Sequence, residues 1–235
     1  MPNGIWLTVL MVSSGLLILA AMRARRIQRT GSRITAMTLL SLLSISAVSA
    51  SVIALAGIVI ANSRTAPIPN VHIIGNREQI DRGAQIADSF CGACHTKTGP
   101  LTGGVDIGKD LTVPVGSFVS SNLTPAGVLS HWTDGEIFRT VTTGVNKFGK
   151  PIFPVMPYHN YGQLDREDIY SVISYIRTLK PIEAETPESV AEFPMNFIIN
   201  TNPVEASFAT KPSPEDQLAY GKYVFTAAAC NECHT

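Results

Sequence analysis

Two long apolar runs open the chain, and a mixed pattern of short amphipathic stretches follows them. Residues 4–22 are 19 uncharged, mostly apolar positions, and residues 34–61 form a second uncharged run of 28. At 1.5 Å per helical residue, either run can cross the roughly 30 Å of hydrocarbon in a bilayer. Between them lie Arg23, Arg25, Arg26, Arg29 and Arg33. The pattern predicts a two-helix membrane anchor over residues 1–62. A short loop this basic belongs on the cytoplasmic side, so the chain after residue 62 is expected outside, on the periplasmic face of a bacterial inner membrane. A cleaved signal peptide would carry its positive charges before the apolar run, and here they follow it. Ser41, Ser44, Ser46, Ser49, Ser51 and Gly57 recur along the second run. They either let it pack closely on the first helix or a partner subunit, or are merely tolerated there.

Beyond the anchor the period changes. Residues 63–76, with Pro67 and Pro69, read as a linker, and a helix is expected over 77–90. Residues 96–131 are rich in Gly, Thr, Ser and Pro and read as irregular chain. Thr133-Asp134-Gly135-Glu136 is a capping box, which predicts a helix over 134–143 that ends near Gly144. Asp165 is the next N-cap, followed by Ile169, Val172, Ile173 and Ile176 at helical spacing and a stop before Pro181. Residues 181–214 hold six Pro and read as a linker or a wrapping strap. A last helix starts near Pro214 and opens the segment 215–235. The fold class expected is all-α.

Two motifs carry the chemistry. Cys91-Gly92-Ala93-Cys94-His95 and Cys230-Asn231-Glu232-Cys233-His234 both match the pattern for covalent attachment of haem c. Two thiols one helical turn apart can each form a thioether to the porphyrin, and the adjacent His then lies under the iron. Each motif follows a similar helical lead, Arg82-Gly83-Ala84-Gln85 in one case and Tyr220-Gly221-Lys222-Tyr223 in the other, which suggests two copies of one domain type. The second copy reaches only Thr235 and is expected to be the incomplete start of a second domain. Four cysteines in two such pairs would also suit a zinc site. The His after each pair, and a location where free thiols oxidise, favour two haems.

A distal ligand must come from elsewhere. Met156, in Phe153-Pro154-Val155-Met156-Pro157, is the leading candidate, and His/Met ligation raises the reduction potential of a cytochrome. His159, His131 and His72 compete more weakly, and Met195 reads as a packing residue. Pro100, in Gly99-Pro100, can present a backbone carbonyl to the second ring nitrogen of His95. Lys plus Arg and Asp plus Glu both number 18, but the five Arg of the anchor leave 13 basic against 18 acidic side chains beyond residue 62. That mildly acidic part lacks the basic face that nucleic acid would need.

With these motifs in view, residues 77–180 resemble a class I cytochrome c domain: helix, Cys-x-x-Cys-His, Gly-Pro, middle helix, Pro-x-Met-Pro, final helix. The stretches Ser121-Asn122-Leu123-Thr124-Pro125, Trp132-Thr133-Asp134 and Phe153–Tyr158 are similar to cytochrome subunits of membrane-bound alcohol and gluconate dehydrogenases. The resemblance implies iron ligation by His95 and Met156, with the Pro100 carbonyl orienting His95. It implies a non-catalytic electron-relay subunit of a respiratory or photosynthetic chain, held in a larger membrane redox complex and exchanging electrons with other carriers. Those subunits are not generally built with two N-terminal membrane helices, so the resemblance speaks for the domain more than for any one partner. The alternatives are a cytochrome subunit of a membrane dehydrogenase, a dihaem enzyme of peroxidase or thiosulfate-oxidising type, and a redox-reporting structural protein.

Overall fold

The computed structural model describes residues 3–63, 66–96, 99–232 and 234, which fall into two compact units. The first holds α1 (Asn3–Ala24), α2 (Thr30–Ser63) and a returning segment, Asn196–Thr201. Residues 25–29 join α1 to α2, and the two helices pack against each other. The windows Leu7–Ala24 and Thr30–Val59 have mean hydropathies of 1.9 and 2.3, long and apolar enough to cross a membrane. Between Ser44 and Gly57 the sheltered positions of α2 are Ser44, Ala47, Ala50, Ser51, Ala54 and Gly57, a line of small residues at helical spacing, with Met37, Leu40 and Ile58 half-buried beyond its two ends. Buried Ser14 and Ser44 donate their hydroxyls to the carbonyls of Leu10 and Leu40, each at 2.7 Å, so neither needs water. Leu16, Ile45, Val52 and Leu55 stay exposed on the other faces. This is the arrangement in which small residues pack helices and large apolar ones meet lipid. Of the small residues named from the sequence, Ser44, Ser51 and Gly57 are sheltered, as close packing requires, whereas Ser41, Ser46 and Ser49 are exposed, as residues merely tolerated there would be.

The second unit is built on two crossing helices. α3 (Arg77–Ile86) starts at a capping box in which Asn76 and Gln79 satisfy each other's backbone amides. It runs through a π-turn at Ala87–Cys91 into the short α4 (Gly92–His95). α5 (Asp134–Thr143) begins at the Thr133/Glu136 capping box and ends at Gly144, whose φ of 73° is left-handed. α6 (Tyr158–Tyr161) and α7 (Arg166–Thr178) follow, with Asp165 capping α7 through the Glu167 amide. α3 crosses α7 at Gly83, where a Cβ would fall 1.9 Å from the Ser171 carbonyl oxygen. Around that crossing, Ile137 and Phe138 of α5 and Ile169, Val172, Ile173 and Ile176 of α7 form the core with Leu129 and Leu164.

The segment read as a linker is bound to the domain, and so is most of residues 181–214, in keeping with the strap alternative for that stretch. Asp134, the first residue of α5, accepts the Ile73 N–H at 2.8 Å and Arg177 Nε at 3.0 Å, and Gly135 closes on the Pro69 carbonyl. Residues 66–73 thus lie along α5, and Gly75 packs on Ser174 of α7. In the strap, Ile182 O accepts the Asn122 amide, and β1 (Gly116–Ser117) pairs antiparallel with β2 (Val190–Ala191). After α8 (Met195–Ile198), Phe208 packs against Phe138 and under the Arg166 guanidinium. The last helix, α9 (Gln217–Ala227), buries Tyr223 and Ala227.

A charged network joins α3, α7 and α9. Arg82 grips Asp168 with two hydrogen bonds of 2.8 and 2.7 Å, Tyr223 donates its hydroxyl at 2.8 Å, and Lys211 Nζ lies at 3.4 Å. Burial pushes the Asp168 carboxyl up, but these hydrogen bonds and positive charges outweigh it and hold it below the usual carboxylate range.

Two outcomes are expected. Gly83→Val should cost about 1–3 kcal/mol or more in a urea titration, as overpacking does, because the obstacle is backbone; an unchanged midpoint would contradict the crossing. Asp168→Asn should cost about 1–3 kcal/mol at pH 7, the cost of leaving buried hydrogen-bond partners unpaired. Because the folded pKa is depressed, the carboxylate's contribution is full above the unfolded value near 3.9 and is lost as pH falls through the folded one. The gap between variant and parent should therefore close in acid denaturation below about pH 4. A gap that persists there would contradict the linkage.

Candidate cofactor site

The local helical turn from Cys91 to His95 brings both thiols and the imidazole to one end of α3. Cys91 closes the π-turn, and Cys94 and His95 lie one turn further, in α4. Cys91, Cys94 and Cys230 form no disulfide. Burial pushes the Cys91 thiol up to about 12, with Cys94 and Asp88 adding to the effect, and burial also raises Cys94. Both are neutral thiols at neutral pH. His95 is lowered by burial, against an opposing backbone hydrogen bond, which favours the neutral imidazole.

That bond runs from His95 Nδ1 to the carbonyl of Ser121 at 2.8 Å. A carbonyl can only accept, so Nδ1 carries the proton and Nε2 keeps its lone pair for a metal. Sequence reasoning placed the Pro100 carbonyl in this role. Pro100 is exposed and its carbonyl accepts the Thr102 N–H at 2.7 Å in a local turn, while the ring bonds Ser121. Ser121 is held by its neighbour: buried Asn122 donates to Ile182 O at 2.8 Å and accepts the Thr124 amide at 2.9 Å. Nothing in the Ser121 side chain marks the role. The only sequence signal was the Ser-Asn-Leu-Thr-Pro stretch itself.

The segment with Met156 approaches the same place. Phe118, three residues before Ser121, stacks on Phe153 with ring centroids 3.7 Å apart and planes within 10°. The Met156 turn is closed by its amide on Phe153 O at 3.3 Å and by the Tyr158 amide on Met156 O at 2.8 Å. Tyr158 is fully buried, its ring against Gly144. Tyr161, at the end of α6, is raised by burial and by the nearby Cys91 and Cys94. α6, which starts two residues after Met156, therefore lies beside Cys91 and Cys94. Sequence reasoning did not single out Tyr161.

The second motif rests on α6 as well. Asn160 Nδ2 donates to Asn231 Oδ1 at 2.9 Å, and His159 Nε2 meets Glu232 Oε1 at 2.8 Å. The Tyr223 hydroxyl accepts the Asp165 amide at 3.0 Å, tying α9 to the start of α7. Cys230 begins a short 3-10 turn and His234 is exposed, while Cys233 lies outside the described residues. Of the competing ligands, His159 is engaged by Glu232, and His131 and His72 are exposed. Met195 begins α8. Among the described residues, no group of three or more His, Cys, Asp or Glu side chains forms the set that a structural zinc ion needs. A paired thiol set, a neutral imidazole fixed through Nδ1 and a methionine turn on a neighbouring wall fit haem c.

Comparison with known proteins agrees. Residues 78–176 match the family described as cytochrome c oxidase, cbb3-type, subunit III. The chain is 30% identical to the fructose dehydrogenase cytochrome subunit of Gluconobacter japonicus, over 79% of this chain and 40% of that one. It is 26% identical to the cytochrome c subunit of a quinone alcohol dehydrogenase of Gluconacetobacter polyoxogenes, over 66% of this chain and 36% of that one. A diheme cytochrome c-type protein of Cereibacter sphaeroides is 26% identical, over 62% of this chain and 53% of that one. The chain thus spans well under two thirds of each of these relatives. Residues 78–176 are a cytochrome c domain, and the chain that carries it is a c-type cytochrome similar to the cytochrome c subunits of dehydrogenases.

Proposed function

We propose that this chain is a membrane-anchored dihaem cytochrome that relays electrons as a non-catalytic subunit of a larger membrane redox complex. Cys91 and Cys94 would hold one haem c, with His95 and Met156 as its axial ligands. Cys230, Cys233 and His234 would hold a second. When bound, haem c supplies a one-electron couple. The observation that carries the reading is His95, fixed by Ser121 with Nε2 left for iron and set in one helical turn with two neutral thiols.

The chain's own residues do the rest. Ser121 sets the ring plane and tautomer of His95, which fixes ligand basicity. The prolines on either side of the Met156 turn stiffen it, so the thioether is presented without first being ordered. The stacked Phe118 and Phe153 and the buried Tyr158 add apolar bulk along that wall and keep water from it. With His95 and Met156 both holding the iron, a substrate would have no place there. A second haem beside the first is supported by the Asn231–Asn160 and Glu232–His159 contacts, which seat the second motif on α6. The Arg-rich loop between α1 and α2 supports a periplasmic position for the haem side. The dehydrogenase subunits among its relatives favour a dehydrogenase as the partner that delivers electrons.

Met156→Ala should leave covalent haem in place, lower the reduction potential of one haem and let the ferrous form bind carbon monoxide. Potentiometric titration of the membrane-bound protein, with parallel carbon monoxide difference spectra, reads both effects. Unchanged potentials together with no carbon monoxide adduct would remove Met156 from the ligand set.

A further inference from the structure

The segment Asn196–Thr201 belongs to the first unit, although the strap on either side of it belongs to the second. Its partner is the C-terminal part of α2. At Gly57 a Cβ would come 2.8 Å from the Phe197 carbonyl oxygen and 3.6 Å from Asn200 Cβ, so the bare glycine admits the segment's backbone. Phe197 is only 2% exposed and Asn200 5%. Ile198 is 36% exposed, and on α2 Leu55 and Val59, on either side of Gly57, are 52% and 56% exposed.

From this we infer that residues 196–201 are a further membrane-contacting element, seated in the headgroup layer of the bilayer against α2. The inference rests on the reading of α1 and α2 as membrane-spanning. If the hydrocarbon begins at Ile34, just past Arg33, about 20 helical residues exhaust it near Ile53. Gly57 then stands roughly 6 Å further along the axis at 1.5 Å per residue. That depth falls within the interfacial layer, which adds about 5–8 Å on each side of the hydrocarbon. The chemistry of the segment suits it. Residues 193–204 contain no charged side chain and alternate apolar groups (Phe193, Met195, Phe197, Ile198, Ile199) with Asn196, Asn200, Thr201 and Asn202. Such amphipathic, uncharged chain is stable where one side is apolar and the other wet. Ile198, like Leu55 and Val59 of α2, is an apolar side chain left exposed in this unit, and phospholipid is the partner that suits all three.

The test is lipid photolabelling of the full chain, in vesicles of phosphatidylcholine and phosphatidylglycerol. One phospholipid carries a diazirine near the acyl carbonyl and a second carries it at the acyl terminus, and peptides are mapped by mass spectrometry. The expected result is labelling of α1 and α2 by both probes. The shallow probe alone should label 193–201, several-fold above the exposed peptide 109–113. Gly57→Val should reduce the labelling of 193–201 and spare that of α1. Labelled spans with an unlabelled 193–201 would overturn the inference and leave the membrane reading standing, as would labelling that Gly57→Val does not change. Unlabelled spans would overturn the membrane reading and this inference with it.

Discussion

The near-contact of α3 and α7 at Gly83 is the constraint on which the cytochrome domain depends. Helices usually keep 8–10 Å between axes because side chains stand between them. Here there is no side chain on one partner, and the place a Cβ would take is 1.9 Å from the Ser171 carbonyl oxygen. The crossing matters because of what lies at the adjoining ends of the two helices. α3 continues through its π-turn into Cys91, Cys94 and His95, and α7 is entered from α6, which begins just after Met156. Moving one helix by the width of a methyl group moves the attachment motif against the methionine turn.

The Asp168 network locks the same crossing from outside. A buried carboxylate is costly unless its lone pairs are filled, and Arg82, Tyr223 and Lys211 fill them from three different segments. Tyr223 also receives the Asp165 amide, so the helix that leads into the second Cys motif is fastened to the N-terminus of α7. Asn231 and Glu232 complete the fastening on α6. The lead helix of the second motif is thereby part of the first domain's own packing. This gives the proposal of two neighbouring haems a structural basis beyond the repeat of the motif.

Much of this was legible where side chains carry the information. The Thr133/Glu136 box and Gly144 bound α5 at Asp134–Thr143, as the residues predict, and Asp165 caps α7. The apolar runs mark α1 and α2. What escaped is carried by backbone or by distant pairing. The acceptor for His95 is the Ser121 carbonyl, a group that every residue has, so no residue type could point to it over Pro100. Residues 66–76 looked like free linker because their anchors, Asp134 and Arg139, lie some 60 to 70 positions away. The contacts of Asn231 and Glu232 with α6 span more than 70 residues, and no local pattern predicts them.

The central claim is that this chain carries haem c covalently at its two Cys-x-x-Cys-His motifs. Intact-protein mass of the purified membrane protein, with a pyridine haemochrome assay and peptide mapping, tests it most directly. The account predicts two haem c groups, one on the peptide with Cys91 and Cys94 and one on the peptide with Cys230 and Cys233. Unmodified thiols at both pairs in protein matured with a working cytochrome c assembly system would contradict it.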